Sequence, residues 1–173
     1  MSRIVCTVVA MTLALFAVGC PPRRGAGSHP RPLSSSQPVE LELEAVEGGL
    51  VKLSQLRGKP VVVIFFTTWC VVCQIQVARF QPVRAALGND RIAVLGVALD
   101  LQHQLVPPFL RAAGFNFPVA YGHPSMVRRS PLGAVRGVPR LVILDAKGRP
   151  VADFVRPVGS KVLLQILRSL VKK

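Results

Sequence analysis

The run Val61-Val62-Val63-Ile64-Phe65-Phe66 has no polar interruption, and after Thr67-Thr68 it meets Trp69-Cys70-Val71-Val72-Cys73. No other stretch constrains the chain as tightly. A continuous apolar run predicts a strand buried on both faces, as in a sheet covered by helices. Beyond the cysteines, Gln74 to about Leu87 reads as helix. Cys73, Val77, Phe80 and Leu87 fall at helical spacing, and Gly88-Asn89 stops the pattern. Pro82 inside it predicts a kink. Cys70 therefore stands where a helix opens, facing unpaired N–H groups and a partial positive charge. That field favours thiolate over thiol, and thiolate is the nucleophile in disulfide exchange. Cys73, one helical turn on, is placed to attack a mixed disulfide formed at Cys70.

The chain has 173 residues and half of them are apolar, which fits one domain plus a tail and excludes a disordered chain. Of the four cysteines, Cys6, Cys20, Cys70 and Cys73, only the last two form a CxxC pair. This is no disulfide framework of the secreted mini-protein kind; it points to redox or metal chemistry. A formal charge of +14 marks a strongly basic surface, while Glu40, Glu42, Glu44 and Glu47 cluster near the start of the domain. A solvated basic face and attraction to an anionic membrane or acidic partner both fit. The basic residues are scattered singly, with no stripe or aromatic interleaving, which argues against nucleic acid.

Residues 1–19 read as a secretory leader: Arg3, then an apolar stretch of about 15 residues, short for a membrane span. It ends in Ala17-Val18-Gly19-Cys20, which resembles a bacterial lipobox with Ala17 in place of the usual leucine, so Cys20 is a candidate for lipidation. An ordinary signal peptide with Cys20 a free thiol and an uncleaved anchor are the alternatives. Residues 20–38 are rich in Pro, Gly and Ser and predict a flexible tether, with His29 a solvated residue in it.

The domain is expected over 39–173. Val39 to Leu53 alternates and turns at Gly48-Gly49, predicting an edge hairpin. Ile92 to Ala98 reads as a second buried strand. His103 to Ala113 reads as a helix that Pro107-Pro108 delays or breaks, and Phe115 to Ala120 as a short strand. A loop is expected over 121–137, then a strand over Leu141–Leu144, a turn at Asp145-Ala146-Lys147-Gly148 and a strand over Val151–Val155. The last helix, Val158 to Val171, puts Val162, Ile166 and Leu170 on one face. Two strands, then β-α-β-α, then β-β-α predict an α/β domain: a central sheet with helices on both faces.

With Trp-Cys-x-x-Cys after a buried strand, and Gly137-Val138-Pro139 just before Leu141-Val142-Ile143-Leu144-Asp145-Ala146-Lys147-Gly148, the chain resembles the thioredoxin-like superfamily. The N-terminal hairpin and the segment between the inner strands make it similar to the TlpA/ResA-like branch. The resemblance implies a thioredoxin-like fold with a mixed sheet. It implies Cys70 as the exposed attacking thiolate, Cys73 as the buried resolving thiol, and a reversible Cys70–Cys73 disulfide. Pro139 is expected to be cis and against that disulfide, with the Val138 backbone open to a substrate strand and Trp69 flanking the site. Two positions where relatives carry a buried acid hold Ile64 and Gln76, and Ala78 replaces a usual helix proline. Arg140 stands where threonine is usual, which suggests a charge beside the site that stabilises thiolate or selects an acidic substrate.

For Cys70 and Cys73, a structural disulfide or half a zinc site is the bland alternative, and the missing second ligand pair counts against zinc. For Trp69 it is a core indole. His103 and His123 read as surface or loop residues. A Cu(I)-delivery protein using the pair with His123 remains a rival. So do a peroxiredoxin-like peroxidase using Thr67, although Val63 stands where a proline is expected, and an inert tethered binding module. The favoured expectation is an extracytoplasmic, membrane-tethered thiol–disulfide oxidoreductase on the periplasmic side. It needs no cofactor or metal; its partners are a protein disulfide and a membrane or extracytoplasmic reductant. Apocytochrome c maturation enters by family analogy alone.

Overall fold

The computed structural model describes residues 37–88 and 90–171; the expected leader, Cys6, Cys20, His29 and most of the expected tether lie outside the described residues. The sheet begins with a hairpin. β1 (Glu42–Ala45) and β2 (Leu50–Lys52) pair antiparallel around Gly48 and Gly49, whose φ values of 94° and 80° suit residues without a Cβ. Glu42 lies directly opposite Lys52, and their side chains pair at 2.8 Å.

Next come β3 (Val61–Phe66), α1 (Val71–Leu87), β4 (Ala93–Ala98), α2 (Val106–Ala112), β5 (Val119–Tyr121) and α3 (Pro124–Arg129). β6 (Arg140–Leu144), β7 (Pro150–Phe154) and α4 (Ser160–Val171) complete the order. One seven-stranded sheet results, in the order β2-β1-β5-β4-β3-β6-β7. β3 runs parallel to β4 and antiparallel to β6, and β4 runs parallel to β5. The sheet is mixed, as expected.

Every residue of β3 and β4 is buried, so alternate side chains feed two cores. Val62, Ile64 and Phe66 pack on one face with Cys73, Val77 and Phe80 of α1, Val106 of α2, and Leu163 and Leu167 of α4. Val61, Val63 and Phe65 pack on the other with Val39, Leu41, Leu43, Leu53 and Val127 of α3. The parallel crossovers β3–α1–β4 and β4–α2–β5 step the same way across the sheet, which puts α1 and α2 on the same face. Each fully buried aliphatic or Phe side chain contributes roughly 1.5–3 kcal/mol, so the two cores carry most of the fold's stability.

Several boundaries differ from the sequence expectation. α1 starts at Val71, because Cys70 itself is the N-cap, and it runs through Pro82. Pro107 and Pro108 sit in the first turn of α2, where their missing N–H groups have no helical partner to lose. The expected loop over 121–137 contains α3. Its start signals are a proline at the first helical position and a His123 ring nitrogen that accepts the Ser125 N–H at 3.3 Å. In α4 the buried stripe centres on Leu163 and Leu167, with Val162, Ile166 and Leu170 half-buried beside it.

Gly96 in β4 marks the tightest packing near the sheet centre. A Cβ there would come within 2.9 Å of Val119 Cγ2 and 3.3 Å of rings from Phe117 and Phe66. Gly96→Ala should lower unfolding free energy by about 1–3 kcal/mol, read as a shift in the urea midpoint.

Candidate active site

Parallel pairing of β3 and β4 brings their C-terminal ends side by side, with Phe66 opposite Ala98. The ladder extends one step beyond the strands, since Leu99 N–H donates to Phe66 O at 2.9 Å. Asp100 follows and turns its carboxylate to the Thr67-Thr68 turn. It accepts the Thr68 N–H at 3.0 and 3.1 Å and the Thr68 hydroxyl at 2.7 Å. Asp100 is only 7% exposed, so these charge-assisted bonds act where water competes weakly. The turn closes as Cys70 N–H donates to Thr67 O at 3.2 Å.

Cys70 and Cys73 are joined by a disulfide of 2.10 Å, with their Cα atoms 5.2 Å apart. Cys70 caps α1 with its sulfur, which accepts the Cys73 N–H at 3.1 Å. Its carbonyl accepts the same N–H at 3.0 Å and that of Gln74 at 3.4 Å. When the disulfide opens, the donor that caps the helix is already aimed at the sulfur that would carry charge. Cys70 is 7% exposed and Cys73 1%, so in the disulfide form even the expected attacking residue is largely covered. The two sulfurs are bonded and both cysteines belong to the core under the sheet.

The Val138–Pro139 peptide is cis. Antiparallel pairing sets Arg140 opposite Phe65, and continuing that register by one residue brings Pro139 level with Phe66, where the chain leaves the sheet for the cysteines. Val138 is half-buried and packs against both cores. Trp69 is 75% exposed, which overturns the core-indole alternative. Val71, Val72 and Ile75 are also exposed, and so are Leu101 and Leu105 on the segment after β4. These exposed apolar side chains lie on the segments that follow the adjacent ends of β3 and β4.

Arg140 is not beside the disulfide. It pairs in register with Phe65, whose side chain faces the opposite core, and it is 1% exposed. The expectation of a charge that stabilises thiolate or selects an acidic substrate fails because strand alternation turns this side chain to the other face. Ile64 is wholly buried among apolar neighbours. Gln76 is also wholly buried. Its amide oxygen accepts the Val158 N–H at 2.6 Å and its amide nitrogen donates to Val158 O at 3.3 Å. A carboxylate offers no donor for that second bond. Gln76 thus serves to fasten α1 to the segment entering α4, helped by the Ser160 hydroxyl donating to Arg79 O at 2.9 Å.

No motif assigns Asp100 a role; its one local signal is that of a lone acid just past the apolar run of β4, at the end that parallel pairing aligns with Thr67-Thr68. Buried Thr67 Oγ1 has no hydrogen-bond partner. His103 stacks on Tyr121 with ring centroids 4.1 Å apart, and His123 Nδ1 lies 2.7 Å from Ser125 Oγ. Among the described residues no three His, Cys, Asp or Glu side chains form a metal-binding group.

Residues 36–149 match the family model described as the AhpC/TSA family. The thiol-disulfide oxidoreductase ResA of Oceanobacillus iheyensis is 31% identical over 78 residues, covering 45% of this chain and 41% of that protein. The chain spans about half the length of the curated relatives it matches. Among solved structures, a secreted thiol-disulfide isomerase from Corynebacterium glutamicum superposes with a TM-score of 0.72 at 25% identity, covering 79% of this chain and 86% of that one. A DsbF homologue from Corynebacterium diphtheriae also gives 0.72, at 24% identity with 85% and 96% coverage, and shares the fold.

Asp100→Ala should lower stability by about 2–3 kcal/mol, since it removes the charged acceptor of two donors, the Thr68 N–H and hydroxyl, and leaves both part-buried without that partner. Equilibrium urea unfolding of the oxidised protein measures this.

Proposed function

Because this chain belongs to the AhpC/TSA family, we propose that it is a thiol–disulfide oxidoreductase of the TlpA/ResA-like branch that works outside the cytoplasm. The observation that carries this reading is the Cys70–Cys73 disulfide at the tip of α1, with the Cys73 N–H aimed at the Cys70 sulfur. In the reduced protein the Cys70 thiolate attacks one sulfur of a partner's disulfide. An S–S bond forms to Cys70, the partner's own S–S bond breaks, and one partner thiolate leaves. The Cys73 thiolate then attacks the Cys70 sulfur and releases the second partner thiolate. The partner has gained two electrons and this protein has lost two. A second dithiol protein restores the pair, as an oxidising compartment requires.

The partner's segment docks across Trp69, Val71, Val72 and Ile75, with Val138 offering backbone hydrogen bonds beside Pro139. This is supported by the exposure of those apolar residues and by the register that sets Pro139 level with the end of β3. Residues 67–78 carry no charge in a chain of net +14. Close contact at the site is therefore apolar, while the basic surface supplies long-range attraction to an anionic membrane or acidic partner. In this reading residues 1–19 are a signal peptide, Cys20 is lipidated, residues 20–38 tether the domain, and residues 39–173 form it. No helix among the described residues is long and apolar enough to cross a membrane.

The protein should reduce insulin disulfides in the presence of dithiothreitol. Cys70→Ser should abolish turnover, and Cys73→Ser should accumulate a mixed disulfide visible as a mass adduct on Cys70. No turnover by the wild type, or full turnover by Cys70→Ser, would end this reading. The orphaned Thr67 hydroxyl, buried three residues before Cys70, favours a second reading as a peroxidase. Hydrogen peroxide consumption at rates well above free cysteine, lost in both Cys70→Ser and Thr67→Val, is the result that reading requires.

A further inference from the structure

Arg140 is the largest fully buried side chain among the described residues, and the exchange chemistry does not use its charge. Every N–H of its guanidinium has an acceptor. Nε donates to Asp153 Oδ1 at 2.9 Å, and Nη2 donates to Asp153 Oδ2 at 2.9 Å and to Leu132 O at 2.5 Å. Nη1 points at Gly133 O and Ala134 O, each at 3.4 Å. The Phe65 ring lies 5.6 Å from the guanidinium carbon. Asp153 belongs to β7 and is 3% exposed.

Three successive carbonyls of one loop thus converge on one cation. That loop leaves α3 at Ser130, where the Ser130 hydroxyl donates to Val127 O at 2.7 Å and accepts the Leu132 N–H at 3.2 Å. It ends at Val138 and Pro139, next to Arg140 itself. The loop is held at one end by α3, at the other by the pairing of β6 with β3, and in the middle by this guanidinium. Leu132 and Val135 turn their side chains to the core on the same face of the sheet as Arg140, while Ala134 and Arg136 are exposed, so the carbonyls between them depend on the guanidinium for their partners.

We propose that Arg140 is a positioning residue for partner docking: by clamping residues 132–134 it holds the Val138 backbone in the conformation that receives the partner strand. This rests on the exchange reaction proposed above. Without the clamp the segment before Pro139 samples many backbone conformations, and docking must order it first. The loss therefore falls on partner affinity, and the Cys70–Cys73 couple on the other face of the sheet is untouched. Lysine cannot replace the fork, because one ammonium cannot reach Asp153 and three carbonyls at once.

The test uses Arg140→Lys and the pair Arg140→Met with Asp153→Leu. Exchanging a buried ion pair for apolar side chains of similar size can preserve stability, so the double variant separates folding from clamping. Expected for both is a rise of about tenfold in KM for insulin reduction, a smaller change in kcat, and an equilibrium constant with glutathione within about twofold of wild type. A double variant with native melting temperature and unchanged KM overturns the proposal, as does a shift in the glutathione equilibrium as large as the change in KM. If the wild type does not reduce insulin, the reaction reading fails but the clamp is still measured. Amide hydrogen exchange at Val135, Arg136 and Gly137 should speed up at least tenfold in the double variant relative to the amides of β3, and equal protection overturns it.

Discussion

The two ladders on either side of β3 hold the candidate site together. Parallel pairing to β4 fixes where Asp100 emerges, and antiparallel pairing to β6 fixes where Pro139 ends. Both partners are set against the strand that delivers Cys70. A slip of one residue in either ladder would turn a whole strand inside out. With both faces of β3 buried, a slip of β6 would place Arg140 in the core beneath the disulfide and remove Leu141 from it.

Around that frame, three buried polar side chains act as fasteners between segments far apart in sequence. Asp100 ties the end of β4 to the turn before Cys70. Gln76 ties α1 to the entry of α4. Arg140 ties β6 and β7 to the loop after α3. Each satisfies its partners well, which is the condition under which a buried polar group rigidifies a fold. The cysteine pair itself sits among apolar neighbours and on backbone donors. The chemistry therefore relies on the helix tip, and the charged groups serve geometry.

Exposed surface divides in a complementary way. Apolar side chains come to the surface at the ends of β3 and β4, around Trp69 and Leu101. Acids of the N-terminal hairpin are partly matched by Lys52 and Arg57, pairs that contribute little to stability when solvated.

Much was legible in the chain order alone. An apolar run too long for an amphipathic strand and a cysteine at a helix start declared β3, α1 and the site at Cys70 and Cys73, because burial and capping leave local marks. Pro107-Pro108 gave a late start to α2 for the same reason. The short helix α3 escaped, although His123-Pro124 is a capping signal, since six residues carry too little periodicity to stand out. Roles that depend on the side of the sheet a residue faces could not be read locally. Arg140 looks from its position like a charge next to the cysteines, and strand alternation sends it to the opposite core. Gln76 looks like a lost proton acceptor, and it proves to be a clamp because Val158, remote in sequence, packs over it. Local patterning determined which elements form and where the two bonded sulfurs sit; only tertiary packing decided which distant backbone groups each buried polar side chain would satisfy.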